Sequence, residues 1–281
     1  MTAHAPVNPS GGGLGGGLVG GLPMYQGNKA GVELLWHHIA PRLHAHGLGQ
    51  VPELPAWPQD YHAHWRAPGL LLTQACGYPL VTALVGQVRV VGAFRYEVPG
   101  CDGVMCRSQV VVRTDEPSTA LADFRGRRVA YNGTDSQSGY NSLRALIAPL
   151  AHNGAFFASH LETGGHLNSV LAVQAGRADI ASIDCVSLAE FRTHTPEATS
   201  GIRVLFETAP YPGLPLVTAA STSDATLAAL RTVLAQALGE PELAALWQAL
   251  FISDFEPLDE AAYRTCSAMH DSALALGYPA L

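Results

Sequence analysis

The stretch Arg127-Arg128-Val129-Ala130-Tyr131-Asn132, followed by Ser136-Gln137-Ser138-Gly139, decides the reading of this chain. A short apolar run bounded by polar residues predicts a buried strand, and the helical spacing beyond it predicts a helix over 140–150. Ser136 and Ser138 then stand at a helix start, where backbone N–H groups have no partner inside the helix. The helix dipole adds partial positive charge at the same place, so the turn suits an anion. Gly139 allows close approach of a ligand or another chain segment.

Two further segments repeat the arrangement. After an expected strand near 156–161, Gly164-Gly165-His166-Leu167-Asn168 opens a second helix, and His166 there can donate to an oxyanion. After an expected strand near 179–183, Asp184 ends the run Ile180-Ala181-Ser182-Ile183 ahead of a helix near 186. A carboxylate at that position is costly unless partnered. Ionised, it only accepts hydrogen bonds, so it favours a ligand that still carries an acidic proton. Each residue also has a plainer reading: Ser136, Ser138 and Asp184 as helix caps, and His166 as a surface or capping histidine. Adjacent strand ends in one sheet would aim all three at one cleft.

Outward from this segment, helix and strand patterns alternate. Val32, Leu35, Trp36 and Ile39 predict a helix over 28–45, bent at Pro41. Buried strands are expected at 70–73, 88–93, 110–113, 204–206 and 216–219, with helices over 225–238, 241–251 and 260–276. The alternation predicts α/β sheets with largely parallel strands. With 281 residues the chain suits two lobes. The expected division is a flexible tail over 1–17, a discontinuous first lobe of 18–112 plus 208–281, and a second lobe of 113–207. The chain would cross between lobes near 112–115 and 207–214.

Composition excludes several functions. Hydrophobic residues make up 48% and charged residues 14%, which is core material and not the signature of disorder. A net charge of −7 gives no footprint for nucleic acid or an anionic membrane. No run approaches the roughly 18–20 apolar residues that span a bilayer. The first residues have no basic n-region and no strong apolar h-region, so they read as no recognisable signal peptide; cytoplasmic residence or a missing leader follows. Gly15-Gly16-Gly17-Leu18-Val19-Gly20 matches a dinucleotide fingerprint in letters only, since no strand precedes it. It reads as a linker running into the first strand.

The five cysteines, Cys76, Cys101, Cys106, Cys185 and Cys266, match no zinc spacing and read as ordinary thiols, with Cys76, Cys101 and Cys106 open to pairing. The early histidines His37, His38, His44, His46, His62 and His64 lack carboxylates or cysteines at matching spacing and read as solvated faces. No metal, no cofactor and no catalytic motif is expected.

Taken in order, Ser136-Gln137-Ser138-Gly139, Gly165-His166 and Gly176-Arg177-Ala178-Asp179-Ile180 with Asp184 resemble the PhnD-type substrate-binding proteins of phosphate, phosphite and phosphonate ABC transporters. The resemblance extends to Leu22-Pro23-Met24-Tyr25, Gln74-Ala75-Cys76-Gly77-Tyr78-Pro79 and Pro212-Gly213-Leu214-Pro215, over roughly residues 20–240. It implies a two-lobe, type II periplasmic-binding-protein fold whose cleft closes on a small phosphorus oxyanion, a membrane permease as transient partner, a monomer and a periplasmic setting. By resemblance, Ser136, Gln137 and Ser138 hold phosphorus oxygens, His166 donates to them and Asp184 accepts from a protonated oxygen. Tyr25 and Tyr78 line the opposite lobe. Gln137 departs from the family pattern, in which a small hydroxyl residue is frequent. Two other readings stand beside this one: a cytoplasmic ligand sensor, and an enzyme resembling the thiamine-precursor synthases, with His62 or His64 in the chemistry.

Overall fold

A computed structural model describes residues 17–281. Most of the expected 1–17 tail, with Gly15 and Gly16 of the glycine run, lies outside the described residues. Two five-stranded sheets carry the molecule. The first has the order Val19–Gly21, Leu70–Gln74, Leu216–Ala219, Val88–Tyr96, Ile252–Glu256. The second has the order Ile202–Glu207, Ser108–Arg113, Ile180–Asp184, Arg128–Tyr131, Ser159–Glu162. A small three-stranded sheet joins Tyr211–Pro212, Met105–Cys106 and Cys101–Asp102.

The central strands are covered on both faces. All five residues of Leu70–Gln74 and of Ile180–Asp184 are buried. The expectation of largely parallel sheets does not hold. The first sheet has one parallel pairing, Val19–Gly21 with Leu70–Gln74, and its other pairings are antiparallel. In the second sheet Arg128–Tyr131 runs parallel to both neighbours, while Ser108–Arg113 and Ile202–Glu207 are antiparallel additions. Ser108–Arg113 and Leu216–Ala219 arrive from the other sheet with no helix in between, and without such a crossover nothing forces them parallel to their neighbours.

The strand Ser108–Arg113, expected before a crossing near 112, already belongs to the second sheet. The strand Ile252–Glu256 was not anticipated: it falls between the helices expected over 241–251 and 260–276, and Ile252-Ser253-Asp254-Phe255-Glu256, partly exposed at the sheet edge, carries too little apolar character to read as a strand. The helix Lys29–Ala45 forms as expected with Pro41 inside it. Asn28 caps it by accepting from the Gly31 N–H at 3.0 Å, and Val32, Leu35, Trp36, Ile39 and Leu43 face the first core.

The first core surrounds the first sheet; two smaller cores cover the faces of the second. The C-terminal helix Arg264–Ala275 straddles both. Cys266 and Met269 belong to the first core, whereas Ala273, Tyr278 and Leu281 join Tyr140, Leu143 and Ile147 over the second sheet.

Candidate functional site

Three neighbouring parallel strands end at one edge of the second sheet. Arg128–Tyr131 lies between Ser159–Glu162 and Ile180–Asp184, so the segments after them converge as the sequence pattern requires. The turn after the middle strand is π-helical over Gln137–Asn141, and the α-helix proper starts at Ser142. Ser136 caps it: its Oγ accepts from the Gly139 N–H at 3.0 Å. The next helix starts at His166, and the Ser138 hydroxyl meets His166 Nε2 at 2.9 Å.

The His166 ring is half-buried, and its surroundings push its pKa down to about 4, so it is neutral near pH 7. Its Nδ1 is shut off from solvent and has no partner, and the same holds for Asn132 Oδ1. Both groups flank Gly139. A methyl group there would overlap Asn132 Oδ1 and stand 3.3 Å from His166 Cε1. Buried polar atoms without partners cost about 1–3 kcal/mol each, so the two around this helix start are each left with an unmet hydrogen-bonding demand.

The Ser138 carbonyl fastens this turn. It accepts from the hydroxyls of Ser108 at 2.8 Å, Ser142 at 2.9 Å and Ser182 at 2.7 Å. The Tyr211 hydroxyl lies 2.6 Å from Ser108 Oγ. None of these supporting residues was found by sequence reasoning, except that Ser182 was noted within its strand. Isolated hydroxyl residues on apolar strands carry no pattern of their own.

Asp184 lies opposite Ser108 in the antiparallel register, so the two side chains share a face of the sheet. Its Oδ1 accepts from the Ser187 N–H at 2.9 Å, which makes it the cap of the helix Cys185–His194. Its Oδ2 accepts from the Tyr25 hydroxyl at 3.4 Å. Burial, with the Cys185 thiol adding to it, pushes the Asp184 pKa up to about 7. Burial first, then the Asp184 charge, holds the Tyr25 phenol well above its usual range.

The opposite wall is built the same way, from the ends of the parallel strands Val19–Gly21 and Leu70–Gln74. Tyr25 follows the first, and Cys76, Gly77 and Tyr78 follow the second. The Gln137 N–H donates to Cys76 Sγ at 3.2 Å across the cleft. Three further contacts bridge the lobes: Tyr25 to Asp184, the Gly27 N–H to Glu190 Oε2 at 3.0 Å, and His62 Nε2 with Asp135 Oδ2 at 2.7 Å.

The structure thus brings Ser136, Ser138 and His166 together and joins Tyr25 to Asp184. Gln137 and Tyr78 face elsewhere. The Gln137 amide donates to Met269 Sδ at 3.2 Å and accepts from Asn141 Nδ2 at 2.9 Å, so only its backbone faces the cleft. The Tyr78 hydroxyl is 2.7 Å from His270 Nδ1 on the C-terminal helix. Arg144 Nη2 reaches the same nitrogen at 2.5 Å.

A family of periplasmic substrate-binding proteins of phosphonate ABC transporters matches residues 59–263. The chain belongs to that family. No curated protein matches it in sequence. Among solved structures, a binding-protein component of an ABC phosphonate transporter from Pseudomonas aeruginosa superposes with a TM-score of 0.74 at 16% identity, covering 92% of this chain and 88% of the other. PhnD1 from Prochlorococcus marinus, in complex with methylphosphonate, gives 0.72 at 14% identity over 91% and 97%. XAC2383 from Xanthomonas citri, bound to ATP, gives 0.68 at 19% identity over 92% and 97%. These likenesses establish the two-lobe, type II periplasmic-binding-protein fold.

Proposed function

We propose that the chain captures a small phosphorus oxyanion (a phosphonate, phosphite, phosphate or phosphate ester) between its lobes, in the periplasm, and passes it to an ABC permease. The observation that carries this reading is the Ser138–His166 pair at the π-helical turn, with His166 Nδ1 buried and unpartnered beside it. When the Ser138 hydroxyl donates to Nε2, the neutral ring carries its proton on Nδ1 and presents a donor to an oxyanion. The Ser136 hydroxyl, whose oxygen accepts from the Gly139 N–H and whose proton is free, and the first backbone N–H groups of the turn complete the donor set. Asp184 takes the proton-bearing oxygen of the ligand. Tyr25, already bonded to Asp184, closes over it from the other lobe. Gln137 acts through its backbone, and Tyr78, held by His270, braces the strand end behind the cleft wall.

The lobes divide just before Ser108 and again near residue 208, so that 108–207 moves as one body against the remainder. The contacts of Gln137 with Cys76 and of Gly27 with Glu190 form as the cleft closes. The two histidines on which an enzymatic reading rests are otherwise engaged: His64 Nε2 is 3.0 Å from Thr73 Oγ1, and His62 pairs with Asp135.

Thermal unfolding with methylphosphonate, phosphite and phosphate tests the proposal. A ligand at a hundred times its Kd stabilises by about 2.7 kcal/mol, a rise of roughly 5–10 °C for a chain of this size. No rise with any phosphorus oxyanion would overturn it.

A further inference from the structure

Three thiols that the anion site does not use converge beside it. Cys101 Sγ lies 3.5 Å from Cys106 Sγ and 3.4 Å from Cys185 Sγ, and all three sulfurs lie within 4.8 Å of one another. Cys101 and Cys106 face each other across the hairpin of Cys101–Asp102 and Met105–Cys106. Cys185 opens the helix Cys185–His194 directly after Asp184. Gly100, with φ +100°, lets the hairpin approach this closely: a Cβ there would stand 2.9 Å from Cys185 Cβ. All three thiols are free. Cys106 and Cys185 are buried, and Cys101 is half-exposed, which leaves an entry path from solvent.

We propose that Cys101, Cys106 and Cys185 form a site for one soft d10 metal ion, Cu(I) or Zn(II), between the crossover hairpin and the helix that begins at the anion site. Thiolates select such ions. With metal–sulfur bonds of about 2.3 Å, three sulfurs around one ion stand about 3.8–4.0 Å apart, so the cluster needs only a few tenths of an ångström of opening. A disulfide would use two of the three and draw them to about 2.0 Å. Cys101 stands equally near both partners, so the geometry selects neither pair, whereas an ion uses all three. Binding exchanges thiol protons for the ion and releases them to solvent, with no change of oxidation state. Cu(I) is complete with three thiolates. Zn(II) takes a water as its fourth ligand on the open Cys101 side.

The test titrates the reduced, metal-free full chain with Cu(I) against bicinchoninate and, separately, with Zn(II) against 4-(2-pyridylazo)resorcinol. One equivalent of at least one ion should be withheld from its chelator. Cys101→Ser, Cys106→Ser and Cys185→Ser should each weaken that binding at least 100-fold, while Cys266→Ala, outside the cluster, leaves it unchanged. Cys101→Ser, at the half-exposed position, keeps the test valid if the buried variants fail to fold. Retention of neither ion by the wild-type chain would overturn the proposal. So would binding that survives Cys101→Ser, or a disulfide within the cluster that still forms with one equivalent of either ion present.

Discussion

Ser138 and His166 act as one unit on the ligand, and a double-mutant cycle measures that directly. Ser138→Ala removes a hydroxyl from the site and also the partner of His166 Nε2 at 2.9 Å. The ring is then free to turn or to change tautomer, and its buried Nδ1 no longer faces the anion as a donor. His166→Ala removes the ring and leaves the Ser138 hydroxyl unanchored. A hydrogen bond to a charged group is worth about 1.5–3 kcal/mol, so each single substitution should weaken methylphosphonate binding by about 1–3 kcal/mol, roughly 5- to 150-fold. Because each one disables part of the other, the double variant should lose less than the sum by about 1 kcal/mol. Calorimetric titration of the four proteins reads this, with thermal midpoints confirming that all are folded. Losses that add to within a few tenths of a kcal/mol, or no loss in either single variant, would refute the pairing.

Two other variants probe the closed cleft. Glu190 is buried against the Gly27 N–H, and burial raises its carboxyl from 4.5 to about 7. A raised value favours the neutral acid, so this group's share of stability is fully present below pH 4.5 and is lost as pH climbs through about 7. Glu190→Gln, which keeps an acceptor for Gly27, should therefore be more stable than the wild type at pH 8 by up to about 3 kcal/mol, with the advantage gone by pH 4. Urea unfolding at the two pH values checks this, and an equal difference at both would count against it. Gly139→Ala should push Asn132 and His166 apart, lowering stability by about 1–3 kcal/mol and methylphosphonate affinity at least tenfold. Unchanged affinity would mean that neither group holds the ligand.

The helix starts and strand ends around the site were legible because their signals are local. Ser136 caps within three residues, and the runs Val129-Ala130 and Ile180 to Ile183 need both faces covered wherever they pair. The common edge followed from three strands connected by helices, which fixes parallel direction. Strand direction elsewhere was not legible, because Ser108–Arg113 and Leu216–Ala219 enter from the other lobe and nothing in their composition records the direction of entry. The orientations of Gln137 and Tyr78 were missed for a related reason. Their partners Met269 and His270 lie on the C-terminal helix, more than a hundred residues away, and an amide or a phenol serves a ligand or a neighbour equally well. Cys185 joined Cys101 and Cys106 only through the register of Ser108 with Asp184, which brings the hairpin to the start of the next helix.

The central claim is that this cleft binds a phosphorus oxyanion through neutral donors and a carboxyl group, with no arginine or lysine among the converging side chains. Calorimetric titration at pH 8 with methylphosphonate and with sulfate tests it most directly. The account predicts one methylphosphonate per chain, and sulfate bound at least 100-fold more weakly, because sulfate brings no proton to Asp184. Sulfate binding as tightly as methylphosphonate would contradict the role of Asp184, and no binding of methylphosphonate, phosphite or phosphate would contradict the account itself.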